Sequence, residues 1–137
     1  MNPSFVLDCS VTMAWCFEDE ASDYTDCILR SLQHTKAIVP DLWELEVTNV
    51  LLMAERKKRI QEADVFHFIG LLNQLPIEKN RDTASMNDLI LLSRLHQLTS
   101  YDASYLYLAL THGLPLATLD KKLKDVAAHA GIVLYQP

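Results

Sequence analysis

Phe5-Val6-Leu7-Asp8-Cys9-Ser10-Val11 stands near the start of the chain. Three apolar residues run without interruption and stop at an aspartate, the pattern of a buried strand that delivers an acid at its carboxyl end. Ser10 suits a helix N-cap for Val11 to Cys16. Three more short apolar runs repeat the theme: Ala37-Ile38-Val39, closed by Pro40; Pro115-Leu116-Ala117-Thr118, which runs into Leu119-Asp120; and Ile132-Val133-Leu134.

Helical repeats fill the intervals. Glu18 to Ser22 reads as a helix start, where negative charge is favoured by the helix dipole, and Tyr24, Ile28 and Leu32 supply an apolar face ending near His34. Asp41, with Glu44 at capping-box spacing, predicts a helix running to about Arg59. Ile60 to Leu75 reads as another, with Phe66, Ile69, Leu72 and Leu75 at helical spacing, and leads through Pro76 into a short segment, Ile77 to Asn80. Asp82 or Thr83 caps a helix through Leu98. Asp102 to His112 stops at Gly113, and Lys121 to Ala130 at Gly131. Strands separated by helices predict an α/β fold, a parallel sheet covered on both faces.

The chain has 137 residues, enough for one hydrophobic core, so a single domain over residues 1–137 is expected. No apolar run approaches the roughly 18 residues of a membrane span, and no basic stretch precedes an apolar one at the N-terminus. The expectation is a cytoplasmic protein with no membrane partner. Cys9, Cys16 and Cys27 show no metal-binding spacing and read as reduced thiols. The net charge of -6 argues against a protein that grips nucleic acid through a large basic surface. It leaves open a nuclease whose bound cations offset an acidic site.

Acids carry the functional signal. Asp8 and Asp120 both follow strands, and ligands of open parallel sheets bind beyond the carboxyl ends of the strands; as the other explanation, Asp is also a common turn and cap residue. Glu46 falls on the stripe Leu42, Leu45, Glu46, Asn49, Val50, Met53, which should face the interior, where a carboxylate is costly unless paired or bound to metal. A salt bridge to a nearby Arg or Lys is the alternative for it. Asp102 stands at a helix start, where a cap or first-turn acid is the plain explanation. The four acids occur with no matching His, Cys or Lys set, and oxygen-only ligands select hard cations such as Mg²⁺ or Mn²⁺.

Four blocks carry a resemblance: Val6 to Val11, Pro40 to Asn49, Tyr101 to Ala109 and Thr118 to Leu123. In order and spacing they resemble the conserved blocks of PIN-domain nucleases, especially the VapC-type toxins, over nearly the whole chain. The resemblance implies a PIN-like fold, a twisted parallel sheet between helices, and cleavage of RNA that depends on Mg²⁺ or Mn²⁺. It carries the family's acidic positions onto Asp8, Glu46, Asp102 and Asp120 as catalytic and metal-holding residues, with Ser10 and Thr118 in support through hydrogen bonds. Cys9 stands where small residues are usual. As partners it implies a small antitoxin protein and a second copy of the chain.

Two other readings compete. A haloacid-dehalogenase-like phosphatase also has an aspartate after its first strand, but needs a second acid where Ser10 stands. A catalytically silent PIN-like module would bind RNA or protein without cutting. Lys121 and Lys122, next to Asp120, are candidates to touch a backbone phosphate, whereas Arg56-Lys57-Lys58-Arg59 lies at a helix end where cations are favoured anyway. Trp43, Tyr101, Tyr105 and Tyr107 could stack on bases, though aromatics at helical spacing more often belong to the core or a dimer interface. The five histidines are scattered and receive no role.

Overall fold

Apolar runs too short to be helices bury themselves by pairing side by side, and this sets the architecture. β1 (Ser4–Leu7), β2 (Lys36–Val39), β3 (Ile77–Lys79) and β4 (Leu116–Ala117) form a four-stranded sheet in the order β3-β2-β1-β4. All pairings are parallel: Phe5 lies opposite Ala37, Val6 opposite both Ile38 and Leu116, and Ile38 opposite Glu78. The structure, a computed structural model, describes residues 3–81 and 84–137. The expected cap at Asp82 or Thr83 lies outside the described residues.

Seven helices flank the sheet among the described residues: α1 (Cys9–Cys16), α2 (Asp23–Ser31), α3 (Leu42–Arg56), α4 (Glu62–Asn73), α5 (Met86–His96), α6 (Ser100–His112) and α7 (Lys121–His129). None is long and apolar enough to cross a membrane. The expected α/β arrangement, a parallel sheet between helices, is therefore present, and Phe5, Val6, Leu7, Val39, Tyr105, Leu106 and Leu116 lie in its core. Gly113 ends α6 in the left-handed conformation (φ 61°), which a residue without Cβ adopts at little cost.

Several local expectations are corrected. Asp8 holds the N-cap position of α1, and Ser10 lies inside the helix with its hydroxyl turned elsewhere. Glu18–Glu20 forms a 3-10 turn, and α2 starts later because Ser22 caps it reciprocally with Thr25. Asp41 already has helical angles and makes no cap bond, while its expected capping-box partner Glu44 pairs with Lys79 at 3.3 Å. Ser85 caps α5 through the Asp88 amide. On α4 the inward residues are Val65, Phe68 and Leu72, whereas Phe66 is 68% exposed. The short segment after Pro76 is the edge strand β3.

The expected last strand, Ile132 to Leu134, is reduced to one parallel bridge between Leu116 and Leu134. Of the short β4 only Leu116 turns its backbone that way, its N–H donating to the Val133 carbonyl at 3.0 Å and its carbonyl accepting from the Tyr135 amide at 2.8 Å, while the carbonyls of Pro115 and Ala117 serve β1. Tyr135 closes the sheet instead. Its ring stacks on Phe5 at 4.0 Å, its hydroxyl donates to Ser31 Oγ at 2.9 Å, and its carbonyl accepts from the Tyr24 hydroxyl at 3.0 Å. Tyr135→Ala is expected to remove about 2 kcal/mol of stability and to lower the melting temperature by roughly 5–10 °C. An unchanged melting curve would show that the stack contributes nothing.

Candidate functional site

The strand order contains a topological switch. The chain runs outward from β1 to β2 and β3, then returns to place β4 on the other side of β1. At such a switch the segments leaving neighbouring strands turn apart, and it is in the crevice beyond the carboxyl ends of these strands that open α/β sheets bind their ligands. Asp8 follows β1 there, and Thr118 to Asp120 follow β4.

Asp8 is 7% exposed and is held from both sides of the switch. Its Oδ2 accepts from the Ser10 hydroxyl at 2.6 Å and from the Thr118 hydroxyl at 2.7 Å. Ser10 Oγ in turn accepts from the Leu119 amide at 3.0 Å, and Thr118 Oγ1 from the Asp120 amide at 3.1 Å. Burial raises the Asp8 carboxyl above its ordinary range, and the hydroxyl and backbone hydrogen bonds oppose this without cancelling it. The donors around Asp8 are neutral, and no ion pair reaches it among the described residues.

The other acids arrive on helices. Asp120 caps α7, its Oδ1 accepting from the Leu123 amide at 2.9 Å, so local folding accounts for one of its two oxygens. Asp102 is not the cap of α6; Thr99 is, accepting from the Asp102 amide at 3.1 Å, and the Asp102 carboxylate is left half-buried in the first turn. Burial, then Asp120 and Asp8, raise its carboxyl, against a smaller downward pull from Lys122.

Glu46 departs from the expected stripe. α3 turns Trp43, Val47, Leu51 and Ala54 into the core, leaves Leu45 71% exposed, and carries Glu46 at the half-buried margin between the two faces. The helix is oriented by its tryptophan, whose ring N–H donates to Thr12 Oγ1 on α1 at 3.0 Å. Among the described residues Glu46 has no Lys or Arg partner; its Oε1 accepts from the Tyr105 hydroxyl at 2.5 Å. Burial is the largest cause raising its carboxyl, Tyr105 lowers it, and Asp8 and Asp102 add repulsion.

Like-charge repulsion thus links the four acids, Asp8 and Asp102 acting on Glu46, and Asp120 and Asp8 on Asp102. They are not drawn into a ready metal cage: among the described residues no group of three or more His, Cys, Asp or Glu is set to hold an ion directly. The chemistry of the donors nevertheless suits a hard divalent cation. Such ions keep several waters and take only one or two protein carboxylates directly, so acids standing apart serve through bridging waters. Glu46 Oε2, Asp120 Oδ2 and both Asp102 oxygens make no side-chain hydrogen bond among the described residues.

Tyr105 belongs to the site as well, in the core and not in stacking or a dimer interface. A tyrosine on the inner face of a helix needs a partner for its hydroxyl, and that requirement was the available signal. Burial first, and then Glu46, push this hydroxyl above its ordinary range. Being wholly buried, Tyr105 offers no ring face to a base, and Trp43 at 7% exposure is equally unavailable. Within the basic cluster Arg59 is committed locally, to Asp19 at 2.7 Å, to Glu20 at 2.9 Å and over the Phe17 ring at 4.0 Å.

The profile of the PIN domain matches residues 5–129, and the chain belongs to the PIN-domain family, whose members are generally nucleases. Three solved structures are similar in fold. PAE2754 from Pyrobaculum aerophilum has a TM-score of 0.72 at 23% identity, over 92% of this chain and 81% of that one. VapBC2 from Rickettsia felis, bound to a DNA fragment from its promoter, has 0.68 at 12% identity, over 96% and 97%. FitAcB from Neisseria gonorrhoeae has 0.66 at 14% identity, over 97% of each chain. No curated protein matches the sequence.

The raised carboxyls fix a sign for pH dependence. An acid whose folded pKa lies above its unfolded value binds more protons in the native state, so its contribution to stability falls as pH rises from the unfolded value through the raised one. For Asp102 the window begins near 3.8. In chelator, Asp102→Asn is expected to melt a few degrees above wild type at neutral pH, with the gain shrinking as pH falls toward 4. Thermal melts across that range check this; a variant less stable than wild type at neutral pH contradicts the repulsion.

Proposed function

We propose that the chain is a ribonuclease that hydrolyses RNA phosphodiester bonds with Mg²⁺ or Mn²⁺ held by Asp8, Glu46, Asp102 and Asp120. The observation that carries this reading is the buried Asp8 carboxylate, hydrogen-bonded only to neutral donors and facing further acids where a positive charge would relieve all of them. When bound, the cation supplies polarisation of a phosphoryl oxygen and a more acidic water. Ser10 and Thr118 fix the orientation of Asp8. One of the four carboxylates, reaching the ion through a water and not directly, accepts the proton of the attacking water, which adds in line at phosphorus as the bond to the ribose oxygen breaks and that oxygen takes a proton from solvent. Lys121 and Lys122, both exposed at the start of α7, draw the backbone phosphates toward the crevice.

Purified protein is expected to cut a mixed RNA pool with Mg²⁺ or Mn²⁺ and to stop in excess chelator. Asp8→Asn, purified identically, is expected to lose more than about a hundredfold in rate, beyond what losing a supporting hydrogen bond gives. Cutting that persists in chelator, or in the variant, overturns the metal-dependent reading.

The biological setting we infer is that of a cytoplasmic toxin, active as a homodimer and neutralised by a small antitoxin protein. Support comes from the resemblance of the four blocks to VapC-type toxins and from the likeness in fold to VapBC2 and FitAcB. An acidic crevice favours a partner segment that presents a basic side chain to it. Expression of the chain alone should arrest growth. Normal growth of cells that contain active enzyme, with no small protein encoded beside it to protect them, contradicts the toxin assignment and leaves the nuclease assignment standing.

A further inference from the structure

Glu46 differs from Asp8 in how it is held. Asp8 sits at the end of a strand, short and enclosed, with two hydroxyls on one oxygen. Glu46 projects from α3 on a longer side chain, half-buried, with Asp8 and Asp102 repelling it. A flexible carboxylate in that position gains rotamer freedom and hydration by swinging outward, and repulsion acts in the same direction. Its hydrogen bond to Tyr105 is what opposes the swing.

The donor is well built for this. The Tyr105 ring is wholly buried, so its hydroxyl cannot follow Glu46 into solvent. Tyr105 lies one turn after Asp102 on α6, and residues three apart share a helix face. The same helix therefore carries one acid and fixes another that belongs to α3. The choice of donor matters as well. An arginine or lysine would hold Glu46 more strongly but would neutralise it and compete with a cation, whereas a neutral phenol orients the carboxylate and leaves its charge and its second oxygen available.

We propose that Tyr105 is a positioning residue: its hydroxyl pins Glu46 Oε1 so that Oε2 remains directed for a divalent cation shared with the acid on α6. The proposal rests on the metal-dependent reading above and deepens it by assigning a role to a residue that touches neither substrate nor ion.

The test uses the full chain and Mn²⁺ as the probe, with free ion followed by electron paramagnetic resonance in the absence of RNA. Tyr105→Phe keeps the buried ring and removes only the hydroxyl. It is expected to fold, to bind Mn²⁺ about tenfold more weakly than wild type, and to need correspondingly more metal for half-maximal cleavage. In the Glu46→Gln background, removing the hydroxyl is expected to change Mn²⁺ affinity no further, because the two residues act as one unit. Equal Mn²⁺ affinity in wild type and Tyr105→Phe overturns the role of Tyr105 alone, as does an additive loss in the double variant. A wild type that binds no Mn²⁺ overturns this role together with the reading it rests on. If Tyr105→Phe does not fold, wild type carrying 3-fluorotyrosine supplies the readout: the fluorine resonance of residue 105 is expected to shift on Mg²⁺ saturation, and a resonance that stays in place overturns the proposal.

Discussion

The pair of hydroxyl hydrogen bonds on Asp8 Oδ2 is the contact around which the crevice is organised. Ser10 reaches it from α1 and Thr118 from the end of β4, so one carboxylate oxygen joins two segments separated by more than a hundred residues of chain. The same two hydroxyls accept the amides of Leu119 and Asp120, which fixes the turn from β4 into α7. A buried carboxylate is costly without partners, and neutral hydroxyls lower that cost without removing the charge. Asp8 is consequently kept in place and kept electrostatically demanding, a combination that a fold built for stability alone would avoid.

The remaining acids follow from how helices meet this edge. Asp120 is set by its duty as the cap of α7, and Asp102 by its place in the first turn of α6, where the helix dipole favours a negative charge. Glu46 has no such local reason to be where it is. It depends on the tilt of α3, set by Trp43 and Thr12, and on a hydroxyl that comes from α6. Two of the acids are thus by-products of helix starts, and the third needs tertiary structure.

That division explains what the sequence disclosed. Buried parallel strands announce themselves as uninterrupted apolar runs, and acids after strands or at helix starts sit at positions that local rules identify, so β1, β2, β4 and the neighbourhoods of Asp8, Asp102 and Asp120 were legible. The edge strand β3, Ile77-Glu78-Lys79, has no apolar run to mark it, and the apolar run Ile132 to Leu134 forms only one bridge. The inner face of α3 was not, because apolar residues occur nearly all round that helix and the tryptophan contact across to α1 decides which of them turn inward. The same ambiguity misplaced the inner face of α4, where Phe66 and Phe68 compete for one position. Caps were misassigned wherever two neighbouring polar residues both qualified. Ser10 looked like a cap and serves Asp8 instead, and the choice of Ser22 and Ser85 depends on how the preceding chain approaches its helix. The Tyr105 to Glu46 contact joins residues far apart in the chain, and no local pattern encodes it.

If the proposed function holds, a divalent cation belongs in the crevice at the β1/β4 switch, among Asp8, Glu46, Asp102 and Asp120. Anomalous diffraction from a crystal soaked in Mn²⁺ addresses it most directly. An anomalous peak is expected in that crevice, with at least one of the four carboxylates as a direct ligand and waters completing the shell. A fully ordered crevice with no peak at saturating Mn²⁺, or one bridged by a lysine or arginine that satisfies the acids in its place, would contradict it.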